Sequence, residues 1–278
     1  MFAIIGIVVV FGAVVGGYLM EHGNLKVLMQ PAELLIIGGA GLGTMLIANP
    51  LTILKSILGG IAGIFGSSKY DKSAYESTLK QMYEVMQKAR KKGLTELEGD
   101  VEHPDKSELF SKWDHHLRDF VCDTLRMAMT GGPTPFDLDQ LMELDMEVHH
   151  HYSHLPAKAV NTVADSLPGL GIVAAVLGVV ITMGSLGGPP EEIGHKVGAA
   201  LVGTFLGILM CYGLLGPMAD KMGKAAEEEG HFYHVVRVSL IAFLKGNSPQ
   251  MAVEFGRRAV PGHVRPNFAE LETACRGK

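Results

Sequence analysis

Four long stretches of the chain contain no Asp, Glu, Lys, Arg or His, and the charged residues lie in the segments between them. Each stretch has 20 to 25 residues. About 20 apolar residues in a helix cross a hydrocarbon core of roughly 30 Å. The pattern therefore predicts four transmembrane helices, and very apolar core helices of a soluble protein are the disfavoured alternative. The stretches run from Met1 to Met20, from Leu34 to Leu54, from Ser166 to Pro190 and from Val197 to Ala219.

The first stretch differs from a secretory signal peptide in two respects. It has no basic residues at its start, and no small-x-small cleavage site follows it. We therefore expect it to be retained as a span.

The distribution of basic residues predicts the orientation. Of the 24 Lys and Arg residues, 22 lie within residues 55–165 and 220–278, and the two short loops contain only Lys26 and Lys196. Because Lys and Arg near span ends favour the cytoplasmic side, both termini and the large middle segment are expected to be cytoplasmic. The predicted domains are a first transmembrane hairpin (1–54), a helical cytoplasmic domain (55–165), a second hairpin (166–219) and a helical cytoplasmic tail (220–278).

The polar segments carry the periodicity of amphipathic helices. Apolar residues recur at i, i+3, i+4 and i+7 between Tyr75 and Arg90, and Gly93 is expected to end that helix. Further helices are predicted at about 111–129 and 136–152, and in the tail to about Leu244. The predicted fold is thus all-α: a polytopic membrane protein with four transmembrane helices and a helical cytoplasmic domain.

Composition and motifs argue against several classes of protein function. The net charge of −5 gives no indication of nucleic-acid binding, and the three cysteines form no cluster. Phosphate-loop, HExxH, GxSxG and EF-hand motifs are absent, so we expect neither enzymatic activity nor a cofactor. The pairs Gly12–Gly16 and Gly203–Gly207 are GxxxG patterns typical of close helix packing. The run His149–His151 suggests either a metal tract or a solvated helix end, and we favour the helix end.

The uncharged stretches contain no ionisable group for moving an ion. A proton-conducting chain of this kind would need a carboxylate from another polypeptide, and Thr44, Thr182 and Thr204 are the polar candidates for lining a path. Pro168 is expected to begin the third span and Pro217 to end the fourth, both near the cytoplasmic face. Together the two prolines suggest a hinge.

Charged residues are concentrated at one place in the middle segment. The cluster is either a solvated surface or a docking face that uses charge complementarity. It comprises Arg90, Lys91, Lys92, Glu96, Glu98, Asp100 and Glu102.

Several motifs, in order, resemble those of the MotA family of flagellar stator subunits, and the resemblance extends over nearly the whole chain. They are Gly16–Met20, Gln30–Leu34, Asp165–Pro168 with Gly171–Val180, Val202–Leu209 and Ala252–Arg257.

The resemblance implies a ring of several copies, a pentamer around a dimer of a MotB-like, peptidoglycan-anchored single-span partner, in the bacterial inner membrane. In that family the partner supplies the ion-carrying aspartate. Pro168 and Pro217 match the prolines that couple ion binding to cytoplasmic movement, and Thr204 matches a channel threonine. The rotor protein FliG is expected to contact Arg90 and Glu98. Asp145 matches an acidic residue of the family whose part in this contact is less firmly established.

The resemblance also bears on the coupling ion. Sodium-driven relatives have a threonine where this chain has Ala175, which offers no oxygen for sodium. We therefore expect protons to be the coupling ion.

Three alternatives are open. ExbB/TolQ-like subunits, which energise outer-membrane processes, usually have three spans, whereas this chain has four predicted spans. A secondary transporter would be expected to show inverted repeats, and the two hairpins show no such similarity. A membrane enzyme would need a catalytic constellation, and none is visible.

Overall fold

The computed structural model describes residues 2–184, 187 and 189–276. The protein is 82% helical and its described part contains no strand. Four helical segments are long and apolar enough to cross a membrane: Phe2–Met20, Leu25–Ala48, Pro135–Met183 and Pro190–Leu244. The predicted fold class, an all-α polytopic membrane protein with four such helices, is confirmed.

Twelve α-helices follow one another in the described residues. Short non-α turns connect some of them, a 3₁₀ turn at Leu94–Leu97 and a π turn at Cys211–Leu215. The helices are α1 Phe2–Met20, α2 Leu25–Leu28, α3 Pro31–Ala48, α4 Leu51–Ile64, α5 Lys72–Lys92, α6 Glu98–Glu102, α7 His115–Met129, α8 Pro135–Met183, α9 Pro190–Met210, α10 Gly216–Leu244, α11 Pro249–Ala259 and α12 Phe268–Arg276.

The second span differs from its predicted limits. Helix α3 begins at Pro31, where the missing N–H and fixed φ suit a first helical turn, and it ends at Ala48. Asn49 is extended, with φ −130° and ψ 139°, because the residue before a proline is disfavoured in the α region. The end of the predicted stretch therefore belongs to a separate helix, α4.

One helix is much longer than predicted. Helix α8 has 49 residues and passes through Pro156 and Pro168 without ending. The predictions that Pro168 lies in the first turn of a helix and that 136–152 is a separate helix are therefore wrong, and the start of the third span stays a prediction. The last residues of the third uncharged stretch lie partly outside the described residues.

The shorter predicted helices are confirmed with small shifts. Gly93 ends α5 with φ 91°, and Gly246 follows α10 with φ 95°. Such left-handed conformations cost glycine little. Helix α7 begins at His115 instead of near residue 111, because the Asp114 side chain accepts hydrogen bonds from the His116 and Leu117 backbone N–H groups.

The chain forms two compact units. The apolar unit comprises Met1–Ser67 and His154–Lys224, and the polar unit comprises Ser68–Ser153 and Ala225–Lys278. The domain limits predicted at residues 54, 165 and 219 stay a prediction.

Each unit has its own packed interior. In the apolar unit, Ile37, Ala164, Leu167, Ala174 and Cys211 form one buried cluster. The polar unit buries a larger core contributed by α5, α7, α8, α10 and α11. Its most enclosed side chains are Leu79, Met82, Met86, Val121 and Leu240.

Candidate functional site

Glycines bring α8 and α9 into close contact in the apolar unit. A Cβ atom on Gly207 would lie 2.5 Å from the carbonyl oxygen of Leu167 and 3.0 Å from the Cα of Gly171. Only glycine fits at such a separation. The packing role predicted for Gly203–Gly207 is thus confirmed. In contrast, a Cβ on Gly12 or Gly16 would meet no described atom of this chain within 4 Å.

The structure brings Ala175 and Thr204 to this same contact. A Cβ on Gly203 would lie 3.3 Å from the backbone nitrogen of Ala175, and one on Gly171 would lie 3.3 Å from the Cα of Thr204. Both residues are half-buried. Their role in an ion path stays a prediction.

The other two candidate threonines bond to their own helices. The Thr44 hydroxyl donates to the carbonyl of Gly41, and the Thr182 hydroxyl donates to the carbonyl of Gly178, each at 2.8 Å. This is the usual arrangement of threonine in a membrane helix.

Pro217 lies just after the π turn. The N–H of Gly216 donates to the carbonyl of Cys211, five residues back, and the helix then continues through Pro217 to Leu244. A π turn accommodates a residue that cannot donate the next helical hydrogen bond. Pro168 lies half-buried within α8, beside Leu167 at the glycine contact. The proposed hinge role of both prolines stays a prediction.

A carboxylate that the sequence analysis placed outside the spans lies within a spanning helix. Glu33 is in the first turn of α3 and is 7% exposed. Its Oε2 atom has no hydrogen-bond partner in the described part of the chain. The expectation that the spans contain no ionisable group is therefore wrong for this helix. Pro31, as a helix-starting residue, was the available signal.

Arg90 and Glu98 are exposed residues of the polar unit. Neither has an ion-pair partner within 4.0 Å among the described residues, whereas Lys92 nearby pairs with Glu96. Lys88 lies 2.5 Å from a carboxylate oxygen of Asp100. Burial raises the pKa of Asp100, but hydrogen bonds from Lys88 and Ser107 outweigh it and the pKa is lowered.

Asp145 lines a cavity of about 160 Å³ in the polar unit. The cavity walls also include His116, Asp119, Asp123 and His149. Desolvation raises the pKa of Asp145 above its ordinary value, although the two histidines oppose the shift. Asp145 therefore faces other titratable groups of its own unit, and its predicted contact with a rotor protein stays a prediction.

His149 is an interior residue of α8, so the prediction of a solvated helix end is wrong for it. Its ring stacks on Tyr233 with centroids 4.9 Å apart, and its Nε2 atom lies 3.5 Å from Oε1 of Glu229. Tyr70 donates a 3.1 Å hydrogen bond to the same oxygen. Within residues 2–184, 187 and 189–276, no three His, Cys, Asp or Glu side chains are arranged to hold a metal ion.

These features define a class: a polytopic, all-α membrane protein with a glycine-mediated helix contact and a helical polar domain that presents unpaired charges. Comparisons with known proteins identify the family within this class. Residues 4–93 match the family described as motility protein A N-terminal, and residues 112–233 match the MotA/TolQ/ExbB proton channel family. The chain is 41% identical over 281 residues to motility protein A of Escherichia coli strain K12, covering 99% of this chain and 95% of that protein. The chain belongs to the motility protein A family, as its motifs predicted.

Solved structures agree with the fold. The flagellar MotAB stator complex from Bacillus subtilis contains a chain that is 25% identical with a TM-score of 0.75, and the match covers 98% of both chains. The structure of C. jejuni MotAB gives a TM-score of 0.79 at 18% identity, covering 96% of this chain and 98% of the other.

Proposed function

We propose that this chain is the channel-forming subunit of a bacterial flagellar motor stator, which couples proton flow across the inner membrane to torque on the rotor. The observation that carries the proposal is the 41% identity to a motility protein A over 99% of the chain. Both family matches lie in the segments that build the membrane helices and the polar unit.

The ion path is proposed to follow the α8–α9 contact. Thr204 and Ala175 lie together there, and the path needs only small and hydroxyl side chains because a proton requires no coordination shell. Ala175 offers no side-chain oxygen to sodium, which supports proton drive. Pro168 and Pro217 are the proposed sites at which ion binding is coupled to movement of the polar unit.

The proposed assembly is a ring of five copies around a dimer of a MotB-like single-span subunit anchored to peptidoglycan. The related stator structures, named as MotAB complexes, support such a partner. Both termini and the polar unit are proposed to be cytoplasmic, since the basic residues are concentrated there.

The polar unit is proposed to push a FliG-like rotor protein. Arg90 and Glu98 are exposed and have no ion-pair partner in the described part of this chain, so both charges are available to a partner of opposite charge. Asp145 is a weaker candidate for the same surface because it faces a cavity.

An ExbB/TolQ-like role is the other candidate in the same superfamily. Four spanning helices, where those subunits usually have three, favour the stator. Co-expression in a strain lacking both of its own stator subunits separates the two functions. With its MotB-like partner, the chain should restore swimming and co-purify with that partner from membranes. Co-purification with normal insertion but no swimming would contradict the stator function.

A further inference from the structure

Glu33 occupies a notch between two other membrane helices. It lies in the first turn of α3, and its carboxyl group reaches α8 at Gly178 and α9 at Gly203. Only 7% of the residue is exposed, although carboxylates are rarely buried unless they are paired.

Two glycines provide the room for this carboxyl group. A Cβ on Gly203 would lie 2.5 Å from Oε2 of Glu33, and a Cβ on Gly178 would lie 3.7 Å from Oε1. A side chain at position 203 would therefore displace the carboxyl group. The close α8–α9 contact thus also forms a socket for an acidic group from α3.

The carboxyl group lacks the donors that an ionised form requires. Oε2 is buried and has no hydrogen-bond partner in the described part of the chain. A buried carboxylate without donors or a counter-ion is strongly disfavoured. Taking up a proton relieves this cost, and so would a bound cation. Gly178, Gly203 and Ala200, which lie beside the carboxyl group, carry no side-chain oxygen for a metal cation, so they favour a proton over a metal ion.

The socket adjoins the proposed ion path. Gly203 directly precedes Thr204, and a Cβ on Gly203 would also lie 3.3 Å from the backbone nitrogen of Ala175. An acidic group at this point is within the neighbourhood that a moving ion would cross. Ionisable groups in membrane helices are characteristic of proton relays.

We propose that Glu33 is a proton-binding group of this subunit, which accepts the coupling proton and passes it on along the α8–α9 contact. A carboxylate oxygen of Glu33 forms an O–H bond with the entering proton. That bond breaks when the proton passes to water or to the aspartate that the MotB-like partner is expected to supply, and Glu33 returns to its ionised form. This inference rests on the proposed function, because the proton's route is the stator's ion path.

The test uses the complex of this chain with its MotB-like partner, reconstituted in liposomes under a pH gradient. Glu33→Gln keeps the size and removes the titratable proton, whereas Glu33→Asp keeps the carboxyl group. Glu191→Gln is the matched control, because Glu191 is an exposed residue in the first turn of α9. We expect Glu33→Gln to lower proton flux by about tenfold or more, Glu33→Asp to retain part of it, and Glu191→Gln to match the wild type.

Infrared difference spectra recorded across a pH titration supply a readout that a purely structural role would not change. The wild-type complex should show a carboxylic acid C=O band that titrates and that is missing in Glu33→Gln. Since the Gln variant loses no hydrogen bond, it should assemble normally. If the Glu33→Gln variant does not assemble, the proton flux of the Glu33→Asp variant and the titrating carboxylic acid band of the wild-type complex test the proposal.

Failure of the inference about Glu33 can be told apart from failure of the proposed function. A wild-type complex that conducts protons together with a Gln variant that conducts equally well would overturn this inference alone. The absence of a Glu33-dependent band at every pH would also overturn it. A correctly assembled wild-type complex that conducts no protons would contradict the proposed function, and the infrared band would still test proton binding at Glu33.

Discussion

Arg90 and Glu98, unlike several charged residues around them, have no ion-pair partner in the described part of the chain. Lys92 and Glu96 lie 2.7 Å apart in the same region, and Lys88 pairs with Asp100. Surface pairs of this kind contribute little to stability, and their charges mainly neutralise one another. The charges of Arg90 and Glu98 are not compensated in this way, which favours recognition of a partner over folding.

Reversing the unpaired charges should affect swimming and not folding. We expect Arg90→Glu and Glu98→Lys to impair swimming while membrane insertion and co-purification with the MotB-like partner are unchanged. A rotor protein with the opposite charge reversal should restore part of the swimming speed. Lys106→Glu and Glu108→Lys are controls, since both residues are exposed in the same unit. Loss of insertion in the Arg90 or Glu98 variants would show that the residues are structural.

His149 has an environment that should make stability depend on pH. The Glu229 carboxylate, 3.5 Å from Nε2, raises the pKa of His149 above its ordinary 6.5. Desolvation opposes this shift, and the charges of Asp145 and Asp114 add to it. His116 also lies beside the ring. A raised folded-state pKa means that the stabilisation is fully present below pH 6.5 and is lost as pH rises through the folded-state pKa.

Substitution of His149 should therefore lower the free energy of unfolding most at low pH. His149→Phe keeps a ring against Tyr233 and removes the charge. We expect it to lower the free energy of unfolding by about 1 kcal/mol near pH 6, with the difference shrinking towards about pH 9. Thermal melts of the purified chain over that range measure this. His263→Phe, at an exposed position, should show no such pH dependence, and a difference for His149→Phe that is constant with pH would contradict the account.

Single residues were predictable only where local sequence decides their environment. The exposure of Arg90 and Glu98 agrees with the solvated or docking surface predicted from the cluster of charged residues. Glu33 and His149 could not be placed in this way, because their burial comes from helices distant in sequence. Glu33 meets Gly178 and Gly203, and His149 meets Glu229.

Among the elements, the α8–α9 pair depends most strongly on residue size. Gly207 approaches the backbone of α8 so closely that even one methyl group requires movement of a helix. Overpacking of this kind typically costs about 1–3 kcal/mol. The same contact carries Ala175 and Thr204, so its geometry determines that of the proposed ion path.

Enlarging Gly207 should separate these helices. We expect Gly207→Ala to lower the melting temperature of the purified chain by several degrees, about 4 °C or less per kcal/mol for a chain of this size, and to reduce proton flux in the complex. Gly169→Ala on α8 is the matched control, because a Cβ there meets no described atom within 4 Å. Equal melting temperatures for the two variants would contradict the proposed packing.

At this scale, the four spanning helices and the all-helical type followed from the hydrophobic pattern, but the short helices and several helix ends did not. Pro168 was expected to start a helix, yet α8 continues through it because packing around Leu167 and Ala164 holds the helix together. The break at Asn49–Pro50 lies inside an uncharged stretch, where the absence of charges concealed it. The π turn before Pro217 has no simple sequence signature.

For the whole molecule, the apolar unit exposes many large hydrophobic side chains. Ile47 is 90% exposed and Leu35 is 74% exposed. Exposed apolar surface on this scale is typical of membrane or subunit contacts. Gly12 and Gly16, which meet no described atom of this chain, are available for close packing with another helix.

The complex purified from membranes should therefore be a hetero-oligomer. We expect native mass measurement to give five copies of this chain and two of a single-span partner. Removal of the partner gene should eliminate the assembly of that mass. A homo-oligomer that contains no single-span protein would contradict the proposed stator assembly.

Rotation of tethered cells shows whether this chain and its MotB-like partner form a proton-driven stator. The cells lack their own stator subunits and express this chain with its MotB-like partner, while the proton and sodium gradients are varied independently. We expect rotation that stops when a protonophore is added and is unaffected by the sodium gradient. Rotation that survives the protonophore and follows the sodium gradient would contradict it.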